Sequence, residues 1–331
     1  MKSPFTGGNA ILKTEKAELE FRREKFQYIS LYYLCEDTNE RFTTTDIDTL
    51  NLSQVYNQYR VKYGIPFPDE IQNIRKTYAL PASRMSTILG FGDNQYRLYE
   101  NGDIPSEANG KILSLIKNKE IFRSFVENAR NQFEPKEYQK ILTSLNKVVA
   151  DDQHKKEEEM IFSTSSRSIC NGYAMQSYDK LKNVILYLLD KCGNTFNTKM
   201  NKLLFYTDFL SYKLHGQGIT GLSYKAIQYG PVPLRWDRVY SLIDGIEAEL
   251  IEFNHDISGT ELHPTERPDL GKLTPQEIGV MNIIAEKFKD MSCADISALS
   301  HKEDAWINHH DSKDIIPFNE AFNLKAVSSS C

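Results

Sequence analysis

Three polar side chains in the stretch 93–102 could read DNA bases. Asn94, Gln95 and Arg97 lie at the start of a predicted short helix, on faces that Tyr96 and Tyr99, three residues apart, leave free. Asn and Gln can form paired hydrogen bonds with adenine, and Arg can do so with guanine. The pattern fits a base-reading helix, and it also fits a helical hairpin with a solvated polar face.

The residues before this helix supply the rest of a helix-turn-helix, which needs a packed helix pair joined by a tight turn. An apolar helix through Ile88 and Leu89 should end at Gly90, because glycine takes the left-handed conformation at little cost. Ser83 and Arg84 on that helix are further candidate DNA contacts. Residues 64–119 hold seven Lys and Arg against six Asp and Glu, so tight binding would need a homodimer that doubles the phosphate contacts.

A second set of side chains could hold a protein partner. Between 178 and 240 nine Lys and Arg stand against four Asp, whereas 244–277 is strongly acidic. Such asymmetry steers a partner of complementary charge, and aromatic residues dominate binding hot spots. The candidate contacts are Lys199, Lys202, Tyr206, Tyr229, Arg235 and Trp236. The charged residues also fit solvated helix faces, and the aromatic ones also fit a core.

Histidines near the C-terminal end are the remaining candidates for chemistry. His301, His309 and His310 occur close to Asp304 and Asp311, which could form a metal site, an acid–base pair or a structural cluster at a helix end. The chain has no GxSxG, P-loop, HExxH or GxGxxG motif. We therefore expect no catalytic residues, no enzyme activity and no cofactor. A nucleic-acid-processing enzyme that uses these histidines is the weaker alternative.

The whole chain sets broad limits on structure and location. Its 331 residues suggest two or three domains, and its formal net charge of −5 argues against nucleic acid as the only partner. The five cysteines form no CxxC pair, which fits a reducing cytoplasm. No signal peptide and no apolar run of about 18 residues is present, so we expect a cytoplasmic protein without a membrane partner.

The predicted elements are mainly α-helices, with a small N-terminal β module. An aromatic-rich strand is expected over 26–34, a helix over 46–63 and four or five short helices over 64–118. Connecting helices follow over 119–165, with flexible boundaries at 151–159 and 163–166.

The second half of the chain is predicted to be helical. Amphipathic helices are expected over 178–192 and 199–214, and another through Val239, Leu242 and Ile246. Residues 229–233, with the sequence Tyr-Gly-Pro-Val-Pro, predict a rigid turn between them. Thr274 and Glu277 form a capping box at the start of a later helix.

The segment 63–102 resembles the helix-turn-helix of MqsA-type antitoxins and of the wider Xre-like regulators. The stretch 89–102, which ends in Glu100-Asn101-Gly102, carries most of the resemblance. In that family an Asn early in the recognition helix and an Arg one turn later read bases. Asn94 matches the first position, whereas Leu98 occupies the second and Arg97 lies one residue earlier. The resemblance therefore implies DNA binding without specifying the operator sequence.

The MqsA-type family also opens with a zinc ribbon, a CPxC motif followed by CxxC. Here the corresponding positions are Ser3, Thr6, Cys35 and Thr38, so one thiolate of four remains. Structural zinc needs four ligands, mostly thiolates, and hydroxyls bind zinc poorly. We expect a degenerate ribbon without metal, in which Cys35 is a buried small apolar residue.

Residues 178–311 resemble the Panacea domain, also called SocA-like. The resemblance rests on Lys199-Met200-Asn201-Lys202-Leu203-Leu204-Phe205-Tyr206, on 216–226, on the Gly230-Pro231-Val232 turn and on a late block at 299–306. This family is one of antitoxin domains that neutralise varied toxins by direct binding. The resemblance thus implies a cognate toxin as the protein partner.

Together these observations predict four segments: a ribbon-like module with a helix at 1–62, a helix-turn-helix domain at 63–120, a helical linker at 121–173 and a Panacea-like helical domain at 174–331. The expected function is that of a type II antitoxin that binds its toxin and its own operator DNA. A stand-alone transcriptional regulator with a sensory or partner-binding C-terminal domain is the alternative.

Overall fold

A computed structural model of the chain describes residues 1–147, 154–162, 166–254 and 257–327. The fold is mainly helical with a small N-terminal antiparallel sheet, as the sequence predicts. The chain forms two compact units, the first from 1–54 together with 153–331, and the second from 55–152. The four predicted segments stay a prediction. Among the described helices none has the length and apolar character to cross a membrane.

The first unit begins with a hairpin that pairs β1 (Ala10–Phe21) with β2 (Glu24–Cys35), and β3 (Arg41–Phe42) extends the sheet. Arg22 and Arg23 form the two-residue turn with φ of 51° and 68°, the left-handed conformation that matches the twist of paired strands. The strand predicted over 26–34 is confirmed as part of β2. The helix predicted over 46–63 is confirmed as α1 (Thr45–Tyr63).

The C-terminal part of the first unit surrounds one central helix, α10 (Asn197–His215), whose residues 199–212 are all buried. It contacts its neighbours on several sides, so even its polar residues lie inside. The other helices of this part are α8 (Lys155–Ile161), α9 (Tyr178–Cys192), α11 (Trp236–Leu242), α12 (Pro275–Phe288), α13 (Cys293–Ser300) and α14 (Asp304–Ile307). The capping box of Thr274 and Glu277 at the start of α12 is confirmed.

Strands interrupt this part of the chain, which the sequence predicts as helical throughout. β5 (Tyr224–Ile227) pairs with β6 (Gly230–Pro233), so the predicted rigid turn at 229–233 is in fact mostly a strand. A second sheet has the order β4 (Thr195–Phe196), β8 (Ile257–Pro264), β7 (Ile246–Asn254). The prediction that the helix through Val239 and Leu242 also includes Ile246 was wrong, since α11 ends at Leu242 and Ile246 starts β7. Alternating apolar and acidic residues in β7 have the period of a strand.

The second unit is all helical in its described residues. It contains the end of α1 and then α2 (Pro68–Thr77), α3 (Ala82–Leu89), α4 (Gln95–Glu100), α5 (Glu107–Leu115), α6 (Lys119–Asn128) and α7 (Pro135–Lys147). Its core includes Met85, Ile88, Tyr96 and Tyr99, as the spacing predicts. The predicted boundary at 151–159 becomes α8 from residue 155 onward, while 148–153 and 163–165 lie outside the described residues.

A buried carboxylate fixes the loop that follows α10. Asp208 is completely buried, and its Oδ1 accepts hydrogen bonds from the backbone N–H groups of Ile219 and Thr220 at 2.7 and 2.8 Å. Its Oδ2 accepts from Thr220 Oγ1 at 2.5 Å and from Tyr224 Oη at 2.6 Å. Burial raises the pKa of Asp208, and these four donors offset that cost. The carboxylate therefore joins α10 to the loop and to the first residue of β5.

Replacing Asp208 should destabilise the first unit. Asp208→Ala leaves four buried donors without this acceptor, so we expect the free energy of unfolding to fall by roughly 3–5 kcal/mol. Chemical denaturation of the purified chain measures this. The matched control is Asp190→Ala on α9, whose half-exposed side chain lies beside Lys191, and it should change stability by less than about 0.5 kcal/mol. Equal losses in both variants would contradict this role for Asp208.

Candidate functional site

The helices α3 and α4 of the second unit carry the predicted base-reading residues. Gly90 ends α3 with φ of 68°, and Asn94 precedes α4 with φ of 60°. The hydroxyl of Ser86 accepts the backbone N–H of Tyr96 at 3.0 Å, and Tyr96 Oη donates to the carbonyl of Ile71 at 2.8 Å. These buried contacts fix α4 against α3 and α2.

The predicted DNA contacts differ in how freely they face solvent. Asn94, Arg97 and Ser83 are exposed, while Gln95 and Arg84 are partly buried. Arg84 Nε lies 2.7 Å from Glu137 Oε1, so its charge is already paired within the unit. The exposed polar side chains that could reach a base edge from this helix pair are therefore Ser83, Asn94 and Arg97.

The four ribbon positions lie close together around Cys35. The thiol is completely buried, and Thr6 Oγ1 lies 3.7 Å from its sulfur. Hydrogen bonds from Ser3 and Thr38 lower the pKa of Cys35 to about 6. Two tight turns build this arrangement, with Gly7 N–H donating to the carbonyl of Ser3 and Asn39 N–H donating to that of Cys35, both at 2.9 Å. Hydroxyl groups thus surround one sulfur at the predicted ribbon positions.

The described residues contain no group of three or more His, Cys, Asp or Glu suited to a metal ion. The C-terminal histidines pack against an aromatic ring or lie beside carboxylates. Trp306 stacks on His310 and contacts the tilted ring of His301, with both ring centroids 4.3 Å away, and its indole N–H donates to the carbonyl of Ile227 at 2.8 Å. His309 lies 3.5 Å from a carboxylate oxygen of Glu320.

Three predicted partner contacts lie inside the fold on α10. Lys199 is 7% exposed and donates from Nζ to the carbonyl of Lys289 at 2.8 Å. Tyr206 is completely buried and donates to Glu303 Oε1 at 3.2 Å. Lys202 is also completely buried. These side chains therefore support the domain from within in this structure and do not form its surface.

Two of the other predicted contacts are aromatic side chains at the surface. Tyr229 is 63% exposed between β5 and β6, and Trp236 is 37% exposed at the start of α11. Arg235, just before α11, is partly buried. A short stretch of chain thus presents two large aromatic groups and a guanidinium.

The charge asymmetry seen in the sequence is partly compensated within the first unit. Lys180 pairs with Glu277 at 2.7 Å and Lys182 with Glu266 at 2.5 Å. A third pair joins Lys272 to Asp179 at 2.6 Å. Ion pairs therefore join α9 to the segment after α11, and the two that use lysines of α9 reduce the positive charge left for a partner.

The sequence analysis missed two buried carboxylates that organise the domain, Asp208 and Glu303. Glu303 accepts the backbone N–H groups of Lys325 and Ala326, both at 2.8 Å, and so holds the segment after residue 323 against α14. A lone acid within the apolar run 203–212 was the available signal for Asp208. A charged residue in such a run needs internal partners.

Comparison with known families gives one finding for this region. Residues 200–307 match the family model described as antitoxin SocA-like, Panacea domain. The match spans α10 to α14 and confirms the predicted resemblance over that stretch. Residues 200–307, about a third of the chain, are thus similar to the SocA-like Panacea domain. No curated protein and no solved structure matches the chain.

The amine of Lys202 is an unusual feature of this domain. Its Nζ has no hydrogen-bond partner among the described residues, and burial lowers its pKa to about 7. Gly230, with φ of 96°, lies directly against it, because a Cβ at that position would be 2.6 Å from Lys202 Cε. Burial and the nearby Lys202 also lower the pKa of His301. The protein therefore loses stability when it must hold this lysine charged.

Lys202 should make stability depend on pH. Between the folded pKa of about 7 and the model-peptide value of 10.5, the unfolded chain binds the proton and the folded chain does not. The free energy of unfolding should therefore rise with pH in this window, by at most about 1.4 kcal/mol per pH unit from this group.

Replacing the amine tests this dependence. Lys202→Met should be more stable than the wild type at pH 7, with a difference that shrinks toward pH 10, in denaturation curves measured across the range. Lys191→Met, at a partly exposed position of α9, is the control and should give a difference that does not vary with pH. A constant difference for Lys202→Met would show that this amine is charged in the folded state.

Proposed function

We propose that this protein is the antitoxin of a type II toxin–antitoxin system. It neutralises a toxin by direct binding through the C-terminal domain and binds its own promoter through α3 and α4. The observation that carries the proposal is the match of residues 200–307 to the antitoxin SocA-like, Panacea domain. The proposed site of action is the cytoplasm.

The burial and internal hydrogen bonds of the ionisable groups in the domain support binding rather than catalysis. Lys202, Tyr206 and Asp208 are completely buried on α10, where a substrate does not reach them. Asp208 and Tyr206 are engaged in hydrogen bonds that hold other elements in place. We therefore assign them to the internal framework of a binding domain and propose no enzyme activity.

The proposed toxin surface centres on Tyr229, Trp236 and Arg235. Large aromatic and arginine side chains contribute most to protein interfaces, because they bury much area for little lost conformational freedom. β6 packs on the buried helix α10, and Tyr240 of α11 donates from Oη to Asn201 Oδ1 of α10 at 2.6 Å, so the exposed side chains nearby are presented from a rigid support. Lys199, Lys202 and Tyr206 act from beneath as part of that support.

The proposed operator contacts are Ser83, Asn94 and Arg97, with Gln95 beside them. The packing of Tyr96 against α2 and α3 holds α4 in place while its first turn stays open. Because the balance of charge over 64–119 is close to neutral, a homodimer is proposed to supply the phosphate contacts for tight binding.

A growth experiment tests the antitoxin proposal. Expression of the neighbouring gene alone should arrest growth, and co-expression with this chain should restore it, because the toxin is then held in a complex. Growth in both cases, with the neighbour's product detected on a blot, would contradict the proposal. That outcome would favour a stand-alone transcriptional regulator.

Operator binding should depend on α4. The double variant Asn94→Ala, Arg97→Ala should weaken binding to promoter DNA by roughly 30-fold or more in a gel-shift titration, since each of the two base contacts contributes about 1–3 kcal/mol. Neutralisation of the toxin should not change. Lys140→Ala, at an exposed position of α7, is the control and should stay close to the wild type. Unchanged affinity in the double variant would show that α4 does not read the DNA.

A further inference from the structure

Strand β7 leaves one side of its sheet open. The sheet order places β7 at an edge, and its only backbone pairing within the described residues is with β8. Its nine residues make it longer than many edge strands. Proteins usually protect such an edge by shortening it, covering it or placing lysines along it. An open edge offers backbone donors and acceptors to a further strand.

The side chains of β7 do not protect the edge in the usual way. Leu250 is 63% exposed and Phe253 is 54% exposed, among the most exposed large apolar side chains in the described residues. Phe253 touches one ring, that of Phe196, at a centroid distance of 5.4 Å. The strand thus combines backbone donors and acceptors at an open sheet edge with apolar side chains that are exposed to water.

The same hairpin is strongly acidic. Glu247, Glu249 and Glu252 are exposed on β7, and Glu249 stands directly opposite Glu261 of β8. Like charges at directly opposed positions destabilise a sheet. His263 Nε2 lies between the two carboxylates, at 3.4 and 3.1 Å. Neither β7 nor β8 contains Lys or Arg, so the negative charge is left for an outside group to compensate.

We propose that β7 receives an extended, basic segment of the partner protein as an additional strand of the sheet. Added strands gain main-chain hydrogen bonds, and alternating side-chain contacts supply specificity. The glutamates would pair with Lys or Arg of the segment, and Leu250 and Phe253 would pack on its apolar residues. The inference rests on the proposed function, which supplies the toxin as this partner.

The chemistry of the strand argues against other occupants. Nucleic acid is excluded from this edge because phosphates are repelled by the glutamates. A second copy of the chain is also disfavoured, since pairing β7 with itself would set glutamates against glutamates. A basic polypeptide satisfies the open backbone, the apolar side chains and the charge together.

The test uses the full-length chain and the purified product of the neighbouring gene in titration calorimetry. One variant reverses charge, with Glu247→Lys and Glu249→Lys. The other removes apolar area, with Leu250→Ser and Phe253→Ser. Matched controls on other exposed positions of the same unit are Glu286→Lys with Asp290→Lys, and Leu270→Ser with Ile283→Ser. All four should keep the wild-type melting temperature within a few degrees.

Both β7 variants should raise the Kd for the partner by about 30-fold or more, while the Kd of each control stays within about threefold of the wild-type value. Amide hydrogen exchange over 246–253 should slow on binding, because backbone donors become paired. If both variants bind the partner with the wild-type Kd, and amide exchange in β7 does not change on binding, the added strand is wrong and the antitoxin proposal still stands. Absence of binding by the wild type would overturn both.

Discussion

The fold of the C-terminal domain depends on burying a helix that is not wholly apolar. α10 places a carboxylate, two lysines and two tyrosines inside the protein. Each polar group taken from water must be compensated, since an unpaired one costs free energy comparable to a lost hydrogen bond. Asp208 is compensated by the loop after α10, Tyr206 by Glu303, and Lys199 by a carbonyl beyond α12. The buried polar groups of α10 therefore fix the positions of the loops that supply their hydrogen-bond partners.

This arrangement separates support from recognition. The buried network holds the loop after α10 and the start of β5, while Tyr229, Trp236 and the glutamates of β7 reach solvent. A rigid framework suits a domain that binds a partner through its outer segments, because binding then needs little ordering. The unpaired amine of Lys202 is the exception, and it makes the framework less stable at neutral pH than at alkaline pH.

The sequence predicted local structure better than side-chain location. Helix periods and caps placed α10 and the Thr274 capping box correctly, since both signals lie within a few residues. Lys199 and Lys202 were assigned to a surface because charged residues usually mark one, and only the elements packed around α10 bury them. The strands β7 and β8 were missed because Ile246 also fits the helical spacing of Val239 and Leu242. The grouping of Ser3, Thr6 and Thr38 around Cys35 was predicted from a family resemblance, since no local sequence pattern indicates it.

The most direct measurement of the central claim is a binding titration between the purified full-length chain and the separately purified product of its neighbouring gene. A toxin–antitoxin pair predicts saturable binding with a fixed stoichiometry and toxin inhibition that is complete at that same ratio. If the mixture shows no binding heat and elutes as two separate species, while the neighbour remains active, direct neutralisation by this domain is contradicted.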